Sequence, residues 1–307
     1  MESKHCLYDS ISWYLEKEIS IKISPFLIFH LLGGYSFYYK IIDNDIVPNY
    51  ILRGNRIYTS NFVQHTGIEI TTIHEKSYGD ALTNTISIIQ NRPQLVFTNC
   101  YYLDYDTKNY RQNYDTHTVL IQKYKNIERE FIVSDYNQEN ISIGIDTLMQ
   151  ARENVQNRPF AYLDINATNN YKNLEYIYEN VRSLIFLNCK KYLENGVTNL
   201  VNFKDEVVKV INLDSIYQKV ALYALSKAIR HPHGPVITRY IMGKSLTNFY
   251  NEEIINEYIN LSKLWRLFAD KLIKMKLGKI EKDEIIILFD ELIYCERNVN
   301  EKLFKLI

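Results

Sequence analysis

The stretch His5-Cys6-Leu7-Tyr8-Asp9-Ser10-Ile11-Ser12-Trp13-Tyr14-Leu15 places a cysteine where a helix begins. Apolar residues at 7, 11, 14 and 15 keep a helical period, which predicts an amphipathic helix over about residues 7–18. A thiol at a helix N-terminus faces backbone N–H groups that no earlier carbonyl can take, and the positive end of the dipole. Both favour thiolate, the form that attacks carbon. The question for the rest of the chain is whether it supplies a base and an orienting group for Cys6.

A second pair of segments answers it. His117-Thr118-Val119-Leu120-Ile121-Gln122-Lys123-Tyr124 and Arg129-Glu130-Phe131-Ile132-Val133-Ser134-Asp135-Tyr136 read as two strands, with Lys125 to Glu128 as a short turn. A turn of that length predicts a hairpin in which His117 lies opposite Asp135 or Tyr136. Opposed side chains there stand roughly 5 Å apart at Cβ, within reach of an imidazole–carboxylate hydrogen bond. Cys6 as nucleophile, His117 as general base and Asp135 as the group that sets the imidazole tautomer fit the logic of a cysteine triad. The order Cys, His, Asp is that of papain-like enzymes.

Composition narrows the function classes. The chain has 307 residues, 46% of them apolar and 23% charged, with 10 Gly and 6 Pro, the profile of a packed globular protein. Lys plus Arg and Asp plus Glu number 36 each, so no net field favours nucleic acid or an anionic membrane. No apolar run of transmembrane length and no leader-like apolar core appears, and the four cysteines at 6, 100, 189 and 295 form no close pair. Reduced thiols and a cytoplasmic location are the expectation. Cys100, Cys189 and Cys295 read as buried thiols.

Between the two key stretches, Gly33-Gly34-Tyr35-Ser36-Phe37-Tyr38-Tyr39 follows the apolar run Phe26 to Leu32. The glycines mark either a turn lining the cleft beside Cys6 or a plain helix-to-strand turn. Short strand-like pieces follow, with Arg53 to Arg56 as a turn and Asn61-Phe62-Val63 as another piece. Gly67 to Ile73 alternates as a strand, Tyr78 to Asn91 has helical spacing, and Gln94 to Asn99 reads as a buried strand. A tyrosine-rich loop spans Tyr101 to Tyr114. Beyond about residue 168 the pattern is helical: Tyr171 to Leu193, Asp205 to Ala228, Glu252 to Met275 and Glu281 to Leu306. The expectation is an α+β fold, with a papain-like cysteine-peptidase-type domain over 1–166 and a mostly helical C-terminal domain over 167–307, joined at Asn166 to Asn170. His231-Pro232-His233 is read as a rigid interhelical loop in preference to a metal clip, because no further ligand has suitable spacing. Arg230 and Arg239 flank it, as solvated cations or as contacts for a phosphate.

Several fragments, in order, resemble the butirosin-biosynthesis protein H (BtrH-like) N-terminal domain family. They are His5-Cys6, Gly33 to Tyr39, Arg56 with Asn61-Phe62, Val96 through Tyr102-Leu103-Asp104-Tyr105, Asp115-Thr116-His117-Thr118-Val119, and Val133-Ser134-Asp135. The likeness covers roughly residues 5–160. The helical remainder, with Arg230 to Arg239 and Leu264-Trp265-Arg266, looks like the C-terminal part found in many members. The resemblance implies a papain-like fold used for acyl transfer in natural-product assembly, including nonribosomal peptide pathways. An acyl or aminoacyl group would pass from the phosphopantetheine thioester of an acyl or peptidyl carrier protein, through Cys6, to a small amine-bearing acceptor. It implies no resident cofactor and no metal, since the phosphopantetheine arm arrives on the carrier protein. An amide or thioester hydrolase of the same fold, and a non-catalytic binding member, are the alternatives. No Gln precedes Cys6 as an oxyanion donor, so the Cys6 N–H is taken for that role together with a second donor, for which Asn99, Tyr102 and Ser36 are the polar candidates. Asn99, Tyr102 and Ser36, with Gly34 and Tyr35, are the candidate substrate-binding positions.

Overall fold

In the computed structural model of the protein, residues 5–42, 49–135, 138–167, 171–213 and 215–306 are described. Two of the positions named above fall outside them, Tyr136 and the 168–170 part of the expected joint. The elements in order are α1 (Cys6–Ile19), α2 (Pro25–Leu31), β1 (Tyr35–Ile42), β2 (Asn49–Asn55), α3 (Thr59–Thr66), β3 (Ile68–His74), α4 (Tyr78–Ile89), β4 (Gln94–Thr98), β5 (His117–Lys125), β6 (Glu130–Asp135), β7 (Gln138–Gly144), α5 (Ile145–Glu153) and β8 (Ala161–Ala167). Helices follow: α6 (Leu174–Lys191), a π turn (Tyr192–Gly196), α7 (Val197–Ile211), α8 (Ser215–Arg230), α9 (Pro235–Ser245), α10 (Glu252–Lys276) and α11 (Lys282–Leu306). The fold is mixed α+β, with antiparallel sheets towards the N-terminus and a mostly helical C-terminal region. Among the described residues no helix is long and apolar enough to cross a membrane.

The chain forms two compact units. The first takes residues 1–28 and 59–177, the second 29–58 and 178–307. The sequence pattern divides the chain once, at 166/167, with residues 29–58 on the sheet side; in the structure those residues belong to the helical unit.

The first unit is a six-stranded antiparallel sheet in the order β3-β8-β4-β5-β6-β7. Val96, Val119, Ile121, Phe131 and Val133 cover one face together with Leu148 and Met149 of α5 and Ala81 of α4. Helix α1 packs on β4, β5 and β6. Tyr14 donates its hydroxyl to the Ile165 carbonyl at 3.1 Å and so fixes α1 against β8. Strands β7 and β8 and helix α5 have too little periodicity to be read from sequence. Residues 59–66 are helical, not strand-like: Phe62 is fully buried and Thr66 Oγ1 donates back to its carbonyl at 2.6 Å.

The second unit explains why 29–58 joins the helices. Strands β1 and β2 form a hairpin sheet of their own. Arg239 of α9 is wholly buried, and its Nη1 donates to the carbonyls of Ser36 at 3.0 Å and Gly54 at 3.3 Å, tying both strands to one side chain. Its charge meets Glu296 of α11, with Nε 2.7 Å from Oε1. Glu296 also accepts from Trp265 Nε1 at 2.6 Å, from the Tyr192 hydroxyl at 2.8 Å and from the Tyr35 hydroxyl. A buried charge is tolerated when its partners are as complete as this. Gly54 lies within β2 and not in a turn as the sequence suggested. A Cβ there would collide with Thr238 Oγ1 and Arg239 Nη1. Arg239 is thus interior and unavailable to an external phosphate, whereas Arg230 lies half exposed against Asp270 and Ser226. The expected helix over 205–228 is two helices, α7 and α8.

Replacing Glu296 by Gln leaves the Arg239 charge buried without its counter-ion. The expected loss is about 3–5 kcal/mol, read as a lowered urea midpoint of the helical unit's transition. A midpoint unchanged within error contradicts this reading of the network.

Candidate functional site

The site is built within the first unit from α1, the β4–β5 pair and the end of β6. Strands β5 and β6 pair Leu120 with Ser134 and Ile121 with Val133, with an irregularity between Ile121 and Lys123. Carried forward, that register sets Val119, not His117, level with Asp135. The direct opposition read from sequence is therefore displaced by two residues. Side chains two apart on a strand share a face, so His117 and Asp135 are diagonal neighbours on the same face. The imidazole spans the diagonal with its far nitrogen: Nε2 lies 2.7 Å from Asp135 Oδ2. A carboxylate only accepts, so Nε2 carries the proton and Nδ1 is the nitrogen left to exchange one with a thiol.

The pair is dry. His117 is 1% exposed and Asp135 2%. Burial by itself lowers the affinity of His117 for a proton. The Asp135 carboxylate, aided by the neighbouring thiols of Cys100 and Cys6, outweighs it and holds the imidazole well above the ordinary histidine value.

Cys6 is the first residue of α1, and its side chain is 4% exposed. The first intrahelical bonds run from Tyr8 and Asp9 N–H to the His5 carbonyl, so the Cys6 and Leu7 amides stand ahead of the ladder. The Cys6 thiol points to the Thr116 carbonyl at 4.0 Å, the residue before His117. His5 caps the helix from a buried position, stacked on Tyr8 with ring centroids 3.9 Å apart, and its N–H donates to Asp9 at 3.3 Å.

Two residues at the site were not assigned to it from sequence. Cys100, which reads as a plain buried thiol, lies close enough to His117 to feel its charge; burial raises its proton affinity and the imidazole pulls it back in part. The signal was present but needed the pairing of β4 with β5: Thr98 sits directly opposite His117, and Cys100 follows two residues on, its N–H bonded to the Tyr114 carbonyl at 2.9 Å. Tyr105 donates its hydroxyl to Asp135 Oδ2 at 3.0 Å; it ends a fragment that resembles the family, but nothing in its spacing points to the carboxylate.

The expected substrate-binding positions divide between the units. Asn99 is spent on the loop: its Nδ2 donates to Asn113 Oδ1 at 2.7 Å and the Asn154 carbonyl at 3.0 Å, and its Oδ1 accepts from the amides of Tyr101 and Tyr114. It holds Cys100 in place. Tyr102 is partly buried against the sheet core and meets Tyr101 edge-on. Gly34, Tyr35 and Ser36 belong to the second unit. Gly34 has φ of 63° and fits tightly beside Asn188 and His30. Tyr35 is held in the core by Glu296 and Arg239, and Ser36 Oγ accepts from Arg56 Nε at 3.2 Å. His231 and His233 stack in the loop before α9, where the His233 N–H donates to His231 Nδ1 at 3.2 Å. Among the described residues no group of three or more His, Cys, Asp and Glu is arranged to hold a metal.

Residues 5–136 match the family described as butirosin biosynthesis protein H, N-terminal. This region is a domain of that family. Cys6, Cys100, Tyr105, His117 and Asp135 of the BtrH-like domain all lie within the match, and the helical remainder lies beyond it. The family's description ties it to the biosynthesis of a natural product. Comparison with curated proteins gives no match.

A histidine whose proton affinity is raised by folding contributes stability that is complete below its unfolded value of roughly 6.5 and is lost as pH rises through the folded value. The wild type should therefore lose more unfolding free energy than His117→Gln between pH 6 and pH 10, measured by urea titration at each pH. Parallel pH profiles for the two proteins would remove the Asp135–His117 ion pair from the account.

Proposed function

We propose that this protein is a cysteine acyltransferase of natural-product biosynthesis, with a papain-like arrangement of Cys6, His117 and Asp135. The observation that carries the reading is the dry His117–Asp135 pair beside a thiol on the first residue of a helix. His117 takes the Cys6 proton, and the thiolate attacks the carbonyl of a carrier-protein pantetheine thioester. The new bond is Cys6 S–acyl carbon; the bond that breaks is pantetheine S–acyl carbon, and that thiolate leaves with the proton from His117. The Cys6 amide at the start of α1 faces the developing oxyanion. An amine acceptor then attacks the Cys6 thioester, His117 accepts its proton, and Cys6 departs as the thiol. Asp135 keeps the imidazole in the useful tautomer throughout. The reaction needs no cofactor other than the pantetheine arm that the donor brings.

The experiment is intact-protein mass spectrometry after mixing with a panel of acyl-pantetheine thioesters. Wild type and Cys100→Ser should gain one acyl mass, Cys6→Ser should gain none, and Asp135→Asn should load about a hundredfold or more slowly with its fold intact. Release of the acyl group in buffer without an amine would instead indicate hydrolysis. No acyl mass on wild type with any donor would favour a binding protein.

A further inference from the structure

Asp135 has a second partner that the triad logic does not use. The Tyr105 hydroxyl lies 3.0 Å from Oδ2, the same oxygen that lies 2.7 Å from His117 Nε2. The other oxygen, Oδ1, is buried and has no hydrogen-bond partner among the described residues. Two donors therefore converge on one carboxylate oxygen while its twin stays empty. Tyr105 sits in the loop that Asn99 pins, directly after the turn carrying Cys100, so the loop that brings Cys100 to the imidazole also brings the hydroxyl to the carboxylate. The hydroxyl is far from ionising: burial, and after it the Asp135 charge, push it well above the ordinary tyrosine value, so it is a donor at every working pH.

We infer that Tyr105 is a positioning residue, which selects the Asp135 oxygen that receives His117 and weakens the grip of that carboxylate on the imidazole. The inference rests on the reading of Cys6, His117 and Asp135 given above. A carboxylate sharing its charge with a neutral donor pulls less on the second donor. A buried Asp–His pair without that relief holds its proton more firmly still. The groups facing His117 are Asp135 from β6, Cys6 from α1 and Cys100 from the loop after β4, with Asp106 acting on Cys100 and Tyr105 acting on Asp135.

The test is an NMR titration of the His117 ring in full-length protein labelled with 15N-histidine, the signal assigned through His117→Gln. It uses no substrate, so its outcome is independent of whether Cys6 transfers an acyl group. Tyr105→Phe keeps the ring and removes the donor. It should raise the His117 midpoint by about half a pH unit or more. An unchanged midpoint overturns the inference. A lowered midpoint also overturns it, because that is the result of Asp135 drifting away from the imidazole. If Tyr105→Phe does not fold, Tyr105→Gln, which retains an N–H donor, should leave the midpoint at the wild-type value. A rise in that variant contradicts the role of the donor.

Discussion

The interaction on which the site depends is the buried hydrogen bond between His117 and Asp135, and its geometry is set by strand register. On a pleated sheet the nearest cross-strand neighbour of Asp135 is the position of Val119, a core residue. Only a side chain long enough to cross the diagonal reaches the carboxylate from two residues farther along. Imidazole does so with Nε2, which leaves Nδ1 for proton exchange with a thiol. The bonded nitrogen, and the face of the imidazole left towards the thiols, therefore both follow from one register. A one-residue slip would turn His117 to the other face of the sheet and dissolve the site.

Around this bond the protein places a second layer whose task is support. Asn99 makes three side-chain bonds to the loop from Tyr101 to Tyr114 and a fourth to the Asn154 carbonyl at the end of α5, and that loop delivers Tyr105. The two thiols near His117 are not equivalent. Cys6 opens a fourteen-residue helix whose first intrahelical bonds start at Tyr8, whereas the Cys100 amide is bonded to the Tyr114 carbonyl. The helical unit solves a separate problem of the same kind. There a single guanidinium satisfies backbone carbonyls of both β1 and β2 and is neutralised by one glutamate, with four side-chain donors converging on that glutamate. Segment 29–58 is bound to its unit by this cluster, not by the sheet pattern of its sequence.

Much of this was legible in the chain. The helix after His5 and the long C-terminal helices carry a helical period, and the hairpin strands show as apolar runs bounded by a polar turn. The α+β class followed from that pattern, and the resemblance at residues 5–160 agrees with the family match over 5–136. What could not be read is what depends on distant pairing. The irregularity between Ile121 and Lys123 shifts the register without leaving a mark in the alternation of apolar residues. Cys100 becomes a site residue only once Thr98 is known to face His117. Arg239 looks like a surface cation until Glu296, 57 positions away, closes on it. Asn99 looks like a candidate ligand group until its four partners are counted.

In the function proposed above, Cys6 and His117 act as one proton-sharing unit ordered by Asp135. The most direct measurement is the rate of iodoacetamide labelling of Cys6, resolved from Cys100 by peptide mass spectrometry, across pH 5 to 10 in wild type and His117→Ala. The expected result is fast labelling of Cys6 already at pH 6 that disappears in the variant. Slow labelling of Cys6 in both proteins, rising only as an unassisted thiol ionises, would contradict it.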